Sequence, residues 1–138
     1  MAITQAMCSS FKEQLLLGEH DLDTNTIKIA LFTSAATLSA ATTAYSTSNE
    51  VVGTGYTAGG NTLTGAVVTL SGTTAFVDFT DTTWATATIT DRGALIYNST
   101  ANTSVAVLSF GGDKTATNGT FTLIFPAADS TNAILRIA

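Results

Sequence analysis

The chain has 138 residues, of which 45% are hydrophobic and only 11% charged, with a formal charge of −5. Its five cations, Lys12, Lys28, Arg92, Lys114 and Arg136, form no run, which excludes a basic nucleic-acid surface. A single Cys, Cys8, excludes an intrachain disulfide, and a single His, His20, leaves little material for acid–base or metal chemistry.

The N-terminus carries no basic region followed by an apolar core, so it does not read as a signal peptide, and no apolar run is long enough to span a bilayer. Thr4 to Leu17 predicts the one helix. Thr4 is placed to cap it. Met7, Phe11 and Leu15 recur every four residues with Cys8 beside them, forming an apolar stripe. Gly18 stands where a helix ends in a left-handed residue. This helix is expected to pack on a sheet or dock on a neighbouring subunit. His20 is expected to be solvated beyond the helix end.

Thr26–Phe32 predicts a strand covered on both faces and therefore central. Ser34–Ser48, rich in Ala, Thr and Ser, predicts a long excursion with a helical turn near Leu38 and an anchor at Tyr45. Glu50–Val52 reads as a short strand. Gly53–Asn61 reads as a flexible glycine-rich loop. Strands are then expected over Thr62–Leu70, Thr73–Phe79, Trp84–Thr90, Arg92–Asn98, Ser104–Phe110, Thr120–Phe125 and Asn132–Ile137, because apolar residues alternate there with Thr and Ser. Turns are expected at Ser71-Gly72, Asp81-Thr82 and Asn118-Gly119, with loops over Asn98–Thr103 and Gly111–Asn118. The expectation is one domain over residues 1–138, mainly β: an antiparallel two-sheet sandwich or jelly roll of about eight strands, with one N-terminal α-helix (helix about 4–17, sheet about 26–138).

Reactive constellations fail at named positions. Cys8 lies on the apolar stripe, where a thiol is packing, and no local signature joins it to His20. Asp21-Leu22-Asp23-Thr24-Asn25 copies the opening of an EF-hand loop, but Thr26 stands where Gly is needed and Phe32 where a bidentate Glu is needed. Glu19, Asp21 and Asp23 leave only a looser surface cation site, and zinc-ligand spacing is absent. Asp78, Asp81 and Asp91 do not form a glycosidase pair. The Gly53-Thr54-Gly55 and Gly59-Gly60 pairs lack the helix and Lys of a phosphate loop. Three glycosylation sequons, at Asn98, Asn102 and Asn118, are expected by chance in so Thr-rich a chain. The reading is therefore no enzyme, no cofactor and no metal.

Several stretches together identify a resemblance. They are Ser10-Phe11-Lys12-Glu13-Gln14-Leu15-Leu16-Leu17-Gly18-Glu19-His20, Ile27–Ala36, Thr43-Ala44-Tyr45, Asn49-Glu50-Val51, Gly53–Gly60 and Arg92–Asn98. The ensemble resembles a family of small structural proteins of tailed bacteriophages, including those of cyanobacteria and other aquatic bacteria. The resemblance implies a virion component made in the host cytoplasm and carries over no catalytic residue. A capsid decoration, or cement, protein fits best: small, β-rich and homo-oligomeric, a trimer being one such arrangement, with the major capsid protein or another virion protein as partner. The scattered cations and the lack of a bilayer-spanning apolar run give the further expectation of no direct contact with nucleic acid or membrane. The alternatives are a tail, neck or fibre adaptor, and a carbohydrate-binding attachment module using Tyr45, Tyr56, Trp84 or Tyr97. Contacts are expected from the N-terminal helix and the Ser34–Gly60 excursion, through Met7, Phe11, Leu15, Leu16, Leu38, Tyr45 and Tyr56. Deleting the residues before Gly18 is expected to leave a folded protein that no longer binds.

Overall fold

A computed structural model describes residues 2–138. The chain is mainly β, with 47% of residues in strands and 6% in helix, arranged as two antiparallel sheets and one helix. The elements in chain order are β1 (Ala6–Met7), α1 (Ser9–Leu16), β2 (Ile27–Phe32), β3 (Asn61–Thr62), β4 (Val67–Ser71), β5 (Thr74–Asp78), β6 (Thr82–Asn98), β7 (Thr103–Leu123) and β8 (Leu135–Ile137). The larger sheet has the order β1-β7-β6-β2-β3 and the smaller one β4-β5-β8.

The larger sheet is built on one long hairpin. β6 and β7 pair from Thr82–Leu123 to Asn98–Thr103. The separate strands expected over Trp84–Thr90 and Arg92–Asn98 are one strand, and the loop expected over Gly111–Asn118 lies within β7, paired with β6 at Lys114, Thr115 and Ala116. Gly111 (φ 76°) and Asn118 (φ 48°) are left-handed, as a turn would require, but here they accompany breaks in register within the ladder. Asn118-Gly119 is therefore no hairpin turn: Gly119 lies opposite Ala87. The true turn follows Asn98, whose Oδ1 accepts from the backbone N–H groups of Thr100 and Ala101.

β2 lies between β6 and β3 and, apart from half-buried Lys28, is buried throughout, as its doubly apolar pattern predicts. The expected strand over Thr62–Leu70 is divided instead. β3 pairs with β2, whereas β4 belongs to the other sheet. β4 and β5 form a hairpin closed by Gly72 and Thr73, with Ser71 opposite Thr74 and Gly72 at φ 61°.

The helix is shorter than its periodicity suggests. Ala6 and Met7 pair with Val107 and Ala106 of β7, so the helix starts only at Ser9. Thr4 does not cap it; its N–H donates to the carbonyl of Leu38. The open edge of β7 offers these residues a ladder, and tertiary pairing overrides helix propensity. The C-terminus does follow the sequence. Gly18 is left-handed, the Gly18 N–H donates to Leu15 O, and the Glu19 N–H donates to Gln14 O, a complete Schellman motif.

One core joins both sheets and the helix. Cys8 and Phe11 from the N-terminal segment, Ile29 and Leu31 of β2, and Val105 and Val107 of β7 are all buried, together with Val77 and Leu135 of the smaller sheet. The N-terminal segment thus supplies core and an edge strand. Deleting it would open this core rather than trim a surface.

Candidate interaction surface

The Ser34–Gly60 excursion is fixed to the larger sheet by a buried carboxylate. Glu50 makes a single bridge with Phe32, and the Val51 N–H donates to the carbonyl of Leu31, which turns the Glu50 side chain beneath the excursion. Its oxygens accept from the Tyr45 hydroxyl (2.5 Å), the Tyr56 hydroxyl (2.6 Å) and the Gly59 N–H (2.7 Å). The Tyr56 oxygen also accepts from the Leu31 N–H, and the Tyr97 hydroxyl donates to the carbonyl of Gly59. Tyr45 stacks on Tyr97 at 4.6 Å. Burial, reinforced by the Glu50 charge, pushes the Tyr45 and Tyr56 hydroxyls well above the ordinary tyrosine range and Tyr97 up to about 12.

The glycine loop is therefore no free tether. A Cβ on Gly60 would fall 1.8 Å from the carbonyl oxygen of Ile29, and one on Gly53 would fall 2.3 Å from that of Thr88. Only glycine allows so close an approach between these backbones.

A second polar centre holds the connection after α1. His20 is buried against Phe11, with ring centroids 4.7 Å apart, rather than solvated as its position in sequence suggests. Asn98, also buried, directs its amide nitrogen at His20 Nδ1 (3.0 Å) and Asn25 Oδ1 (2.9 Å). The Asn98 oxygen is already committed to the hairpin turn, so its nitrogen is the donor and His20 Nδ1 must accept. The proton then lies on Nε2, which donates to Gln14 Oε1 at 2.9 Å. Burial, only partly offset by Glu19, lowers the His20 pKa. Both ring nitrogens are thus engaged in holding the fold. Cys8 is equally withdrawn: burial raises its thiol pKa, with a partial opposing effect from Ser104.

The expected contact residues separate into four groups. Phe11 and Leu38 are core side chains. Tyr45 and Tyr56 are half-buried around Glu50, while Trp84 and Tyr97 are buried, so the aromatics do not combine into an exposed stacking platform. Met7 and Leu15 line a groove of about 460 Å³ between α1 and the smaller sheet, together with Phe11, Val68, Val77 and Leu135. Leu16, 91% exposed, projects into solvent beside exposed Leu17 at the end of the helix.

Residues not singled out by sequence complete the apolar surface. Val67, Val68 and Leu70 of β4 and Ile137 of β8 are each more than half exposed, and Val52 and Ile124 form separate apolar points. The register places Val68 and Leu70 on one face with Ala75, Val77, Leu135 and Ile137, the face that lines the groove. The signal available in sequence is the consecutive Val67-Val68, apolar where alternation would place a polar residue on the outer face. Among the described residues no group of His, Cys, Asp and Glu is arranged to hold a metal ion. No protein-family model, curated protein or solved structure matches this chain.

Proposed function

We propose that this chain is a structural protein of a tailed-bacteriophage virion, a capsid decoration protein that binds as a homo-oligomer across joints between capsomers. The observation that carries this reading is the surface. Leu16, Leu17, Val67, Val68 and Leu70 are left exposed on a chain in which only 11% of residues are charged. Isolated apolar residues are ordinary on a monomer, but clustered ones at a helix end and a strand edge favour burial against a partner. The polar centres at Glu50 and Asn98 support the same reading, since they fix the loops and spend their hydrogen-bonding capacity on the fold. A rigid scaffold loses little entropy on docking.

The test is occupancy and binding together. Purified protein is mixed with capsids lacking it, and bound copies are counted by cryo-electron microscopy and quantitative mass spectrometry. Hundreds of copies per particle, lost on Leu16→Asp with Leu17→Asp, support decoration of the shell. A handful of copies transfers the protein to the tail, neck or fibre, and no binding to any particle overturns the reading.

A further inference from the structure

β4 is an edge strand without the usual defences. It pairs with β5 on one side and has no strand on the other among the described residues. Edges in soluble proteins are normally blunted by charge, proline or a bulge. The sequence Val67-Val68-Thr69-Leu70-Ser71 has none of these, and its ladder with β5 runs without a break in register.

The backbone geometry sets which groups face outward. In a hairpin closed by a two-residue turn, the flanking pair Ser71–Thr74 exchanges hydrogen bonds. Alternation then points the N–H and C=O groups of Val68 and Leu70 away from β5, toward the open edge. A second strand laid antiparallel about Thr69 would set Val68 against Leu70 of the other copy, and Leu70 against its Val68. The edge is thus complementary to itself, as a two-fold contact requires.

We propose that two copies of this chain associate through antiparallel β4–β4 pairing centred on Thr69, forming a continuous six-stranded sheet. Charge selects this place. The chain carries −5 overall, so copies repel across most approaches, whereas β4 is uncharged and the nearest strand carboxylate, Asp78, lies on β5, behind the edge. Area sets the strength. One short strand and its exposed aliphatics cover about half of the ~800 Å² per partner of a standard interface, which makes the contact a small and reversible one. The inference goes beyond the virion reading and rests on β4 alone, because dimerisation is measured without capsids.

Sedimentation velocity of the purified full chain, from low micromolar to near-millimolar concentration, is expected to show a reversible monomer–dimer equilibrium. Leu70→Lys is expected to weaken it about a hundredfold or more, with an unchanged circular dichroism spectrum. The register has its own check. Thr69→Cys is expected to give a disulfide-linked dimer on mild oxidation, because a two-fold axis at Thr69 brings that position onto itself, while Val67→Cys is not. Native Cys8 is fully buried and does not compete. A monomer at every concentration overturns the proposal, as does a dimer indifferent to Leu70→Lys that crosslinks equally at both positions.

Discussion

The Tyr56 hydroxyl is shared between two parts of the chain: it donates to Glu50 and accepts from the backbone N–H of Leu31. One oxygen atom thereby ties the glycine loop, the excursion and β2 together. The Tyr45 hydroxyl donates to the same carboxylate, and the backbone N–H beside it, that of Gly59, already has Glu50 as its acceptor. This difference orders the consequences of removing each. Tyr45→Phe loses one charge-assisted bond and is expected to cost about 1–2 kcal/mol. Tyr56→Phe also strands a backbone donor and is expected to cost about 3 kcal/mol. Glu50→Ala leaves two hydroxyls and an N–H without their acceptor and is expected to cost about 4 kcal/mol or more. Urea unfolding measures all three; a Tyr45→Phe loss larger than that of Tyr56→Phe would contradict this arrangement.

All three tyrosines of the chain are in this cluster, so its electrostatics have a clean optical signature. Each hydroxyl is raised above its ordinary value by burial first and the Glu50 charge in addition. At pH 11 the folded protein is expected to show little phenolate absorbance near 295 nm, whereas the urea-unfolded chain ionises near pH 10. A group whose proton is held more tightly in the folded state destabilises that state as pH rises past the unfolded value. Stability is therefore expected to fall above pH 10, with phenolate appearing together with loss of tertiary structure. A native titration centred at pH 10 would rule the cluster out.

Much of the sheet is legible because alternation is a local property. β2 and β5 can be located from their own residues, and Gly18 ends α1 where its conformational freedom predicts. What is not legible depends on partners distant in sequence. Ala6 and Met7 carry a helical period, yet the edge of β7 takes them as a strand. Gly60 reads as flexibility, and only the carbonyl of Ile29 beneath it reveals a close contact. Glu50 reads as an ordinary strand residue until Tyr45, Tyr56 and Gly59 converge on it. Among the candidate contacts, helical spacing groups Met7, Phe11 and Leu15 but does not separate the core residue Phe11 from the groove residues Met7 and Leu15; exposed β4 is found only once the break between β3 and β4 is known.

His20 provides a pH response at the acid end. Its Nδ1 faces the donating amide of Asn98, so protonation would set two donors against each other. The folded-state pKa is accordingly below the ordinary value, with burial as the main cause. The folded state resists a proton that the unfolded chain accepts near pH 6.5, so this centre stabilises above that pH and its contribution is lost as pH falls through the lowered pKa. Histidine resonances followed by NMR are expected to titrate below the ordinary histidine value. Asn98→Ala removes the opposing amide and the turn's acceptor together, and is expected to raise the His20 midpoint while costing about 2–3 kcal/mol of stability. A midpoint unchanged by Asn98→Ala would mean that the amide does not face Nδ1.

Asp91 is the opposite case, a carboxylate the fold would hold better without its charge. It is fully buried on β6 opposite Lys114, and neither of its oxygens has a hydrogen-bond partner among the described residues. Burial, helped by the charge of Asp113 and opposed by Lys114, raises its pKa to about 7. Asp113 is itself paired with Arg92 at 2.8 Å, so that guanidinium is already engaged. An unfolded Asp releases its proton near pH 4. Between there and about pH 7 the folded chain keeps a proton the unfolded chain has lost, so stability declines as pH rises through this window and levels off above it. Asp91→Asn supplies a neutral side chain of the same shape and removes that dependence. The variant is expected to gain most over the native chain at pH 8 and least at pH 4, the change between the two being on the order of 4 kcal/mol at most. Paired urea unfolding curves at the two pH values measure it, and an equal gain at both would show that Asp91 is not held protonated by its burial.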